Sequence, residues 1–339
     1  MSHNPKEAEK EMEKTIFISA DCWLEVFVLL PRSQLGFGIA MISHRFDYFV
    51  DEHFKTRKWK LDKLEIRSKI GINGARKMEI VNSNGKALPI PQNPLPKKII
   101  GFGSISINFF DQNVLTFLRR FHRFFTKCET KIHITTENVR ISEFVVFTIW
   151  PMFKDTIHVM IFNPITFRQI RQFAPSMLNF CPSLRVVAFD DGILPEFPPD
   201  DSANASDGQA VTKWLFTPNP DNLPKMLSIE NLAVNQWSTI EQQTKAAFSA
   251  ASSPVSFGIS VGFLSSASLS SVVPFELTNE LTKEKLTLSQ EYVNVFKLIR
   301  CSIAAGDKGK WMKEMNELVR GQKNNKIGIF IGDDGIDNK

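Results

Sequence analysis

Four short apolar alternations, at 105–109, 132–135, 157–162 and 184–189, recur through the middle of the chain. Each carries a central polar residue: Ser106, His133, His158 and Arg185, spaced 27, 25 and 27 residues apart. Their neighbours are apolar: Ile105 and Ile107, Ile132 and Ile134, Ile157 and Val159, Leu184 and Val186. Alternation with a period of two predicts strands. The stretches between them have helical spacing. One begins at Asp111 and carries Leu115, Leu118, Phe121 and Phe125; another begins at Asn163-Pro164, an N-cap followed by proline at the first helical position. A unit of one strand and one helix, repeated every twenty-odd residues, predicts a solenoid of stacked repeats with parallel strands. Stacked strands lie about 4.8 Å apart, so the four polar residues would line one face. Such a mildly basic stripe is a candidate site for an acidic segment of a substrate, set against the alternative of an ordinary solvated strand face.

The chain before this repeat has another character. Residues 1–14 are highly charged without an apolar stripe, as expected for a flexible tail. Residues 15–58 predict a small helical unit. Asp21 is the candidate N-cap of a first helix with Leu24, Phe27 and Val28 on one face, Pro31 and Ser33 mark a break, and a further helix runs over 39–54. Residues 55–69 are strongly basic, and 70–97 are rich in Gly, Asn and Pro, with Pro89, Pro91, Pro94 and Pro96. The prolines argue against a helix and predict an extended, stiff connector over 59–97, with the main domain boundary there. A β-α substrate-binding domain is then expected over 98–339.

Later segments are less regular. An acidic, proline-containing insertion occupies 190–207, and Ser238 to Glu241 matches a capping box at a helix start. Strands are expected at 226–229 and 255–261. A hairpin of 275–278 with 286–288, a strand over 295–302, a helix over 308–319 and a short strand at 327–331 complete the expected order.

The composition is that of a globular protein, 43% hydrophobic and 23% charged over 339 residues. The 29 Phe against 2 Tyr predict many rings in a core or a docking surface. A net charge of +5 comes from interspersed charges and does not call for nucleic acid. Cys22, Cys128, Cys181 and Cys301 have no near partners, which suits free thiols in a reducing compartment. The charged start and the interruptions at Asp21 and Glu25 argue against a signal peptide or membrane span. A cytoplasmic or nuclear protein is expected, without membrane or nucleic-acid partners.

The segment from Ile18 to Phe46 resembles the F-box family. The resemblance rests on Ile18, Asp21, Trp23-Leu24, Val26-Phe27, Leu30-Pro31, Leu35 and the run Ile42-Ser43-His44-Arg45-Phe46. The family usually opens with Leu-Pro, where this chain has Ile18-Ser19. Cys181-Pro182-Ser183-Leu184-Arg185 resembles the cysteine-containing leucine-rich repeats often attached to F-boxes. The implied fold is α/β (α+β overall), a three-helix F-box-like segment followed by an irregular leucine-rich-repeat-like domain. The implied function is that of a non-catalytic substrate receptor in an SCF-type E3 ubiquitin ligase. A Skp-type adaptor, and through it a cullin, would dock on Ile18, Trp23, Leu24, Val26, Phe27, Leu30, Pro31, Leu35, Ile42 and Phe46. A protein substrate would bind the C-terminal domain. No cofactor or metal is implied. The Ile18-Ser19 opening keeps a second hypothesis alive: a repeat-type protein-interaction module without ligase association.

Two other clusters stand out. Arg119, Arg120, His122, Arg123 and Lys127 form a basic helix face interleaved with Phe117, Phe121, Phe124 and Phe125, which are expected to point inward. Asp190, Asp191, Glu196, Asp200 and Asp201 lack the spacing of a calcium loop and predict a mobile surface loop. Phosphate-loop and HExxH motifs are missing from the sequence.

Overall fold

The architecture follows from a computed structural model, which describes residues 18–55, 58–71, 76–91, 95–125, 129–190, 192–264, 269–303, 313, 317 and 325–332. Three short helices come first: α1 (Ala20–Val28), α2 (Arg32–Phe37) and α3 (His44–His53), with a single 3-10 turn at Ile39–Met41 before α3. Ser19, rather than Asp21, caps α1, its hydroxyl accepting from the Cys22 amide. The helix expected over 39–54 is divided because Ser43 is extended and caps α3, accepting from the Phe46 amide.

The rest is built on a mixed sheet of 13 strands among the described residues. In chain order these are β1 (Trp59–Ile70), β2 (Arg76–Asn82), β3 (Ala87–Leu88), β4 (Ile99–Ile107), β5 (Thr130–Thr135), β6 (Ile157–Phe162), β7 (Val186–Phe189), β8 (Lys225–Leu232), β9 (Phe257–Phe263), β10 (Phe275–Asn279), β11 (Glu284–Tyr292), β12 (Val295–Ser302) and β13 (Asn325–Phe330). Their order in space is β10-β11-β12-β9-β8-β7-β6-β5-β13-β4-β1-β2-β3. Helices α4 (Gln112–Phe125), α5 (Val139–Phe144), α6 (Pro164–Phe173), α7 (Asp207–Phe216) and α8 (Val234–Ser249) connect β4 through β9. The path from β4 to β9 moves in one direction across the sheet. Right-handed crossovers that always step the same way keep their helices on one face.

Burial agrees with that geometry. Ile105, Ile107, Ile132, Ile134, Met160, Phe162, Leu227 and Ile229 belong to the main core together with Phe117, Phe121, Phe167, Val211 and Trp237 of the helices. On the opposite face Lys131, His133 and Thr135 of β5 alternate with the buried isoleucines and are only half-buried. A second, small apolar cluster of Val159, Val186 and Met226 lies apart from the main core.

The connector expected over 59–97 is instead part of the sheet. β1 pairs in parallel with β4 and antiparallel with β2. Leu64 and Ile66 are buried while Lys63, Arg67 and Lys69 are exposed, so the basic run is the outer half of an amphipathic strand. The proline segment is strapped to α4: Arg120 donates to the Pro91 carbonyl at 3.0 Å, and Arg123 to those of Leu95 and Pro96 at 2.6 and 3.1 Å. The main domain boundary at 59–97 therefore falls within a continuous sheet.

Other expectations shift as well. α8 begins at Val234, with Gln236 accepting from the Ala233 amide, so Ser238 is inside the helix rather than its cap. The hairpin of β10 with β11 forms as expected. The last strand enters the sheet's centre, pairing with β4 on one side and β5 on the other. Buried Asn325 fixes it there, accepting from the Phe102 amide at 3.2 Å and donating to the Phe124 carbonyl at 2.8 Å. The 1–14 tail, Lys127, Cys128, Asp191 and nearly all of the expected 308–319 helix lie outside the described residues.

Candidate functional site

The helical unit has two sides of different character. Inside, Trp23 and Phe46 meet edge to face at 4.9 Å, and Phe27 packs against Trp23 and against His53. Phe27, Leu35, Phe37 and Val50 are fully buried. Trp23, Leu24, Leu30 and Phe46 are partly buried against the same core, and Pro31 is half-buried at the start of α2. Two titratable groups line this interior. Burial, helped by Asp51, holds the Asp47 carboxyl above the usual carboxylate range, and burial, helped by Arg32, holds His53 below the usual imidazole range.

The helical unit is docked on the sheet and on α4. Phe37 stacks on Phe121 at 5.9 Å, the Ser33 amide donates to Asp62, and Lys98 pairs with Asp51 at 3.0 Å. Gly36 is required by close approach: a Cβ there would lie 2.8 Å from Leu61 and 3.1 Å from Ile99.

Outside, apolar side chains face solvent. Val26 is 42% exposed, Val28 72%, Leu29 82% and Ile42 63%. Ile18 and Tyr48 are exposed too. Of the ten expected adaptor contacts, Ile18, Val26 and Ile42 are on this surface. Phe27 and Leu35 are sealed inside and cannot touch a partner, which corrects their assignment as docking residues. The other five lie partly covered between the two sides. Val28 and Leu29 belong to the surface without having been anticipated as contacts. The signal was there: Trp23, Phe27 and Leu30 already supply the inward stripe at i, i+4 and i+7, leaving these two large apolar residues off it.

The four-residue stripe does not form as one ladder. β13 separates β4 from β5, so Ser106 lies opposite Gly328, and Gly328 opposite His133. His133 in turn lies opposite Ile161, not His158. His158 sits at an irregular step between Thr130↔Ile157 and Lys131↔Val159, and its carbonyl accepts from the Arg185 amide. The result is two pairs at different levels.

Their polar atoms also have partners within the chain. Ser106 donates to Asn108, the His158 ring meets the Thr156 carbonyl at 2.9 Å, and Arg185 pairs with Asp221 at 2.6 Å. The His133 ring lies 3.2 Å from Thr135 Oγ1 and 3.5 Å from Asp190. Burial lowers the His133 pKa despite Asp190. Carboxylates thus offset much of the positive stripe that an acidic segment would need.

The acidic insertion is tied down rather than loose. Asp200 accepts from the amide and hydroxyl of Ser202, Asp201 from Asn179 and Glu196 from Ser206. Asp207, the first residue of α7, holds both Arg168 and Arg171. Among the described residues no group of three or more His, Cys, Asp or Glu is placed to hold a metal. On α4, the four phenylalanines point inward as expected, and Arg120 and Arg123 are occupied with the proline strap.

Among the described residues no helix is long and apolar enough to cross a membrane. The chain matches no family model, no curated protein and no solved structure.

Proposed function

We propose that this chain is the substrate-receptor subunit of an SCF-type E3 ubiquitin ligase. The N-terminal helices would dock a Skp-type adaptor, which links them to a cullin, and the sheet body would hold a protein target. The chain itself then does no bond chemistry; it supplies effective concentration and orientation. One observation carries the proposal: a helical unit sealed on one side by Phe27 and Leu35 leaves Val26, Val28, Leu29 and Ile42 in solvent on the other. Exposed large apolar side chains gathered on a small folded unit mark a candidate partner surface. The resemblance of the Ile18 to Phe46 segment to F-boxes says which partner.

The same proposal includes the finer reading of the fold, F-box-like helices followed by an irregular leucine-rich-repeat-like domain. It is supported by the one-directional stacking of β4 through β9 with their helices, and weakened in regularity by the insertion of β13. Action in the cytoplasm or nucleus follows from the proposal.

Co-purification with a Skp-type adaptor tests it. Wild-type chain should retain the adaptor, and a Leu29→Asp, Ile42→Asp double variant with an unchanged melting temperature should lose it. Failure of the wild type to bind any adaptor would leave the alternative, an interaction module without ligase association, which the Ile18-Ser19 opening favours.

A further inference from the structure

A groove lies at the carboxyl ends of β8 and β9, on the sheet face opposite the main core helices. Its volume is about 380 Å³, and its lining includes Ser228, Glu230, Ser260, Glu291, Tyr292 and Lys297. The register explains the floor. Ser228 lies opposite Ser260, and Ser260 opposite Lys297, so three adjacent strands present two small hydroxyl residues and one long cation in a row. Two serines side by side leave a trough that larger side chains would fill. Both hydroxyls are without a hydrogen-bond partner among the described residues, and both are half-buried.

The rim combines apolar area with negative charge. The turn between β11 and β12 is held against the end of β9: the Phe263 amide donates to the Asn294 carbonyl at 2.9 Å, and Asn294 Nδ2 returns a bond to the Phe263 carbonyl. This sets Tyr292 (62% exposed) and its neighbour Val293 (74%) at the turn that borders the groove. Lys297 is the one cation among the described lining residues, and it is buried and paired with Glu291. Glu230 is exposed at the end of β8 with no ion-pair partner among the described residues. The next strand end carries Asp190, linked to the groove by the bond from Asn231 to its carbonyl. The Asp190 carboxylate itself is turned to His133, so with Glu291 neutralising Lys297 the free charge of the groove lining is that of Glu230.

We infer that this groove binds an extended segment of a partner protein in which a lysine or arginine stands next to large apolar side chains. The cation would lie over Ser228 and Ser260 and pair with Glu230, while its apolar neighbours cover Tyr292 and Val293. Serine hydroxyls accept from an ammonium or guanidinium as readily as they donate, and a rim charge of opposite sign chooses the partner. An acidic segment, the partner suggested by the polar stripe in sequence, would meet Glu230 and Glu291 here. The inference rests on the sheet body being the target-binding part of the chain and gives that target a chemistry.

The probes are arrayed ten-residue peptides containing Arg and Leu, with matched arrays in which Glu replaces Arg or Ala replaces Leu, applied to the full chain. Arg/Leu peptides should bind at least tenfold more tightly than either control. Glu230→Lys should reduce their binding at least tenfold, and Tyr292→Ala with Val293→Ala should do the same. Equal binding of Glu/Leu peptides, or Arg/Leu binding unchanged in Glu230→Lys, overturns the inference. Adaptor co-purification is measured on the same variants. Peptide binding without adaptor binding removes the ligase reading and keeps the groove; adaptor binding with no peptide preference removes the groove alone.

Discussion

The amide of Ser33 donates to the carboxylate of Asp62 at 3.1 Å, joining the first turn of α2 to the middle of β1. Beside this bond, Leu35, Gly36 and Phe37 are all buried. The helical unit and the sheet therefore share one interior, and whatever binds the outer face of the helices is held at a fixed orientation to the sheet.

That junction depends on the lack of a side chain at Gly36. Gly36→Val should push against Leu61, Ile99 and the ring of Trp59. An overpacked contact of this kind costs about 1–3 kcal/mol. Urea unfolding should report the loss, and amide exchange should rise in α2 before it rises in β8 or β9.

Phe27 and Leu29 are two residues apart and should behave oppositely. Phe27 is fully buried, so Phe27→Ala should cost about 3–5 kcal/mol of stability. Leu29→Asp changes an exposed side chain and should move stability by no more than about 0.5 kcal/mol. Adaptor capture should nevertheless fall in Leu29→Asp. Thermal melting paired with co-purification separates the two effects.

Arg300 and Glu284 form an ion pair with each side chain 1% exposed. Glu284 also accepts from the Val255 amide, and Arg300 donates to the Ser253 carbonyl, so the pair fastens the loop before β9 to β11 and β12. Removing one partner leaves a buried charge alone. Arg300→Met and Glu284→Gln should each cost about 3–5 kcal/mol, while the double variant should cost less than the sum. Chemical denaturation of all three variants closes the cycle.

Lys225 is buried under the ring of Trp214, with its ammonium donating to the carbonyls of Trp214 and Thr217. Burial pulls its pKa down to about 8 from an ordinary value of 10.5. Between those values the unfolded chain holds a proton that the folded chain has released, so this group's contribution makes stability rise with pH. Wild-type stability measured relative to Lys225→Met should therefore improve by about 3 kcal/mol from pH 7.5 to pH 10.5. A difference that stays flat, or falls, would remove the assignment.

The strand-helix units between β4 and β9 were legible because their alternation is local: the burial of Ile132 and Ile134 against Lys131 and His133 is written in four consecutive residues. The same rule applied to 59–70 was hidden by charge. Lys60, Lys63, Arg67 and Lys69 drew attention away from Leu64 and Ile66, and the change of phase between Leu61 and Leu64 broke the alternation that marks a strand. The proline segment misled for another reason. Proline excludes helix but says nothing of the arginines, 27 to 29 residues later, that fix its carbonyls. At the candidate sites, residue types were readable but sidedness was not. Leu24, Phe27 and Val28 read as one face, yet Phe27 packs against Trp23 and His53 while Val28 faces solvent; the stripe of Trp23, Phe27 and Leu30 is what separates them. Strand order was the least accessible, since no local pattern tells 325–330 to lie between β4 and β5.

The place of β13 also sets a timetable for assembly. Ribosomes deliver β4 and β5 about two hundred residues before the strand that must separate them, and the Asn325 side chain bonds an amide 223 residues upstream. During synthesis both neighbours have unpaired edges, and closing so long a loop carries an entropic cost that slows the step. Until residues 325–330 are made, β4 and β5 each have an edge without its final partner, and edges of that kind pair readily with other strands.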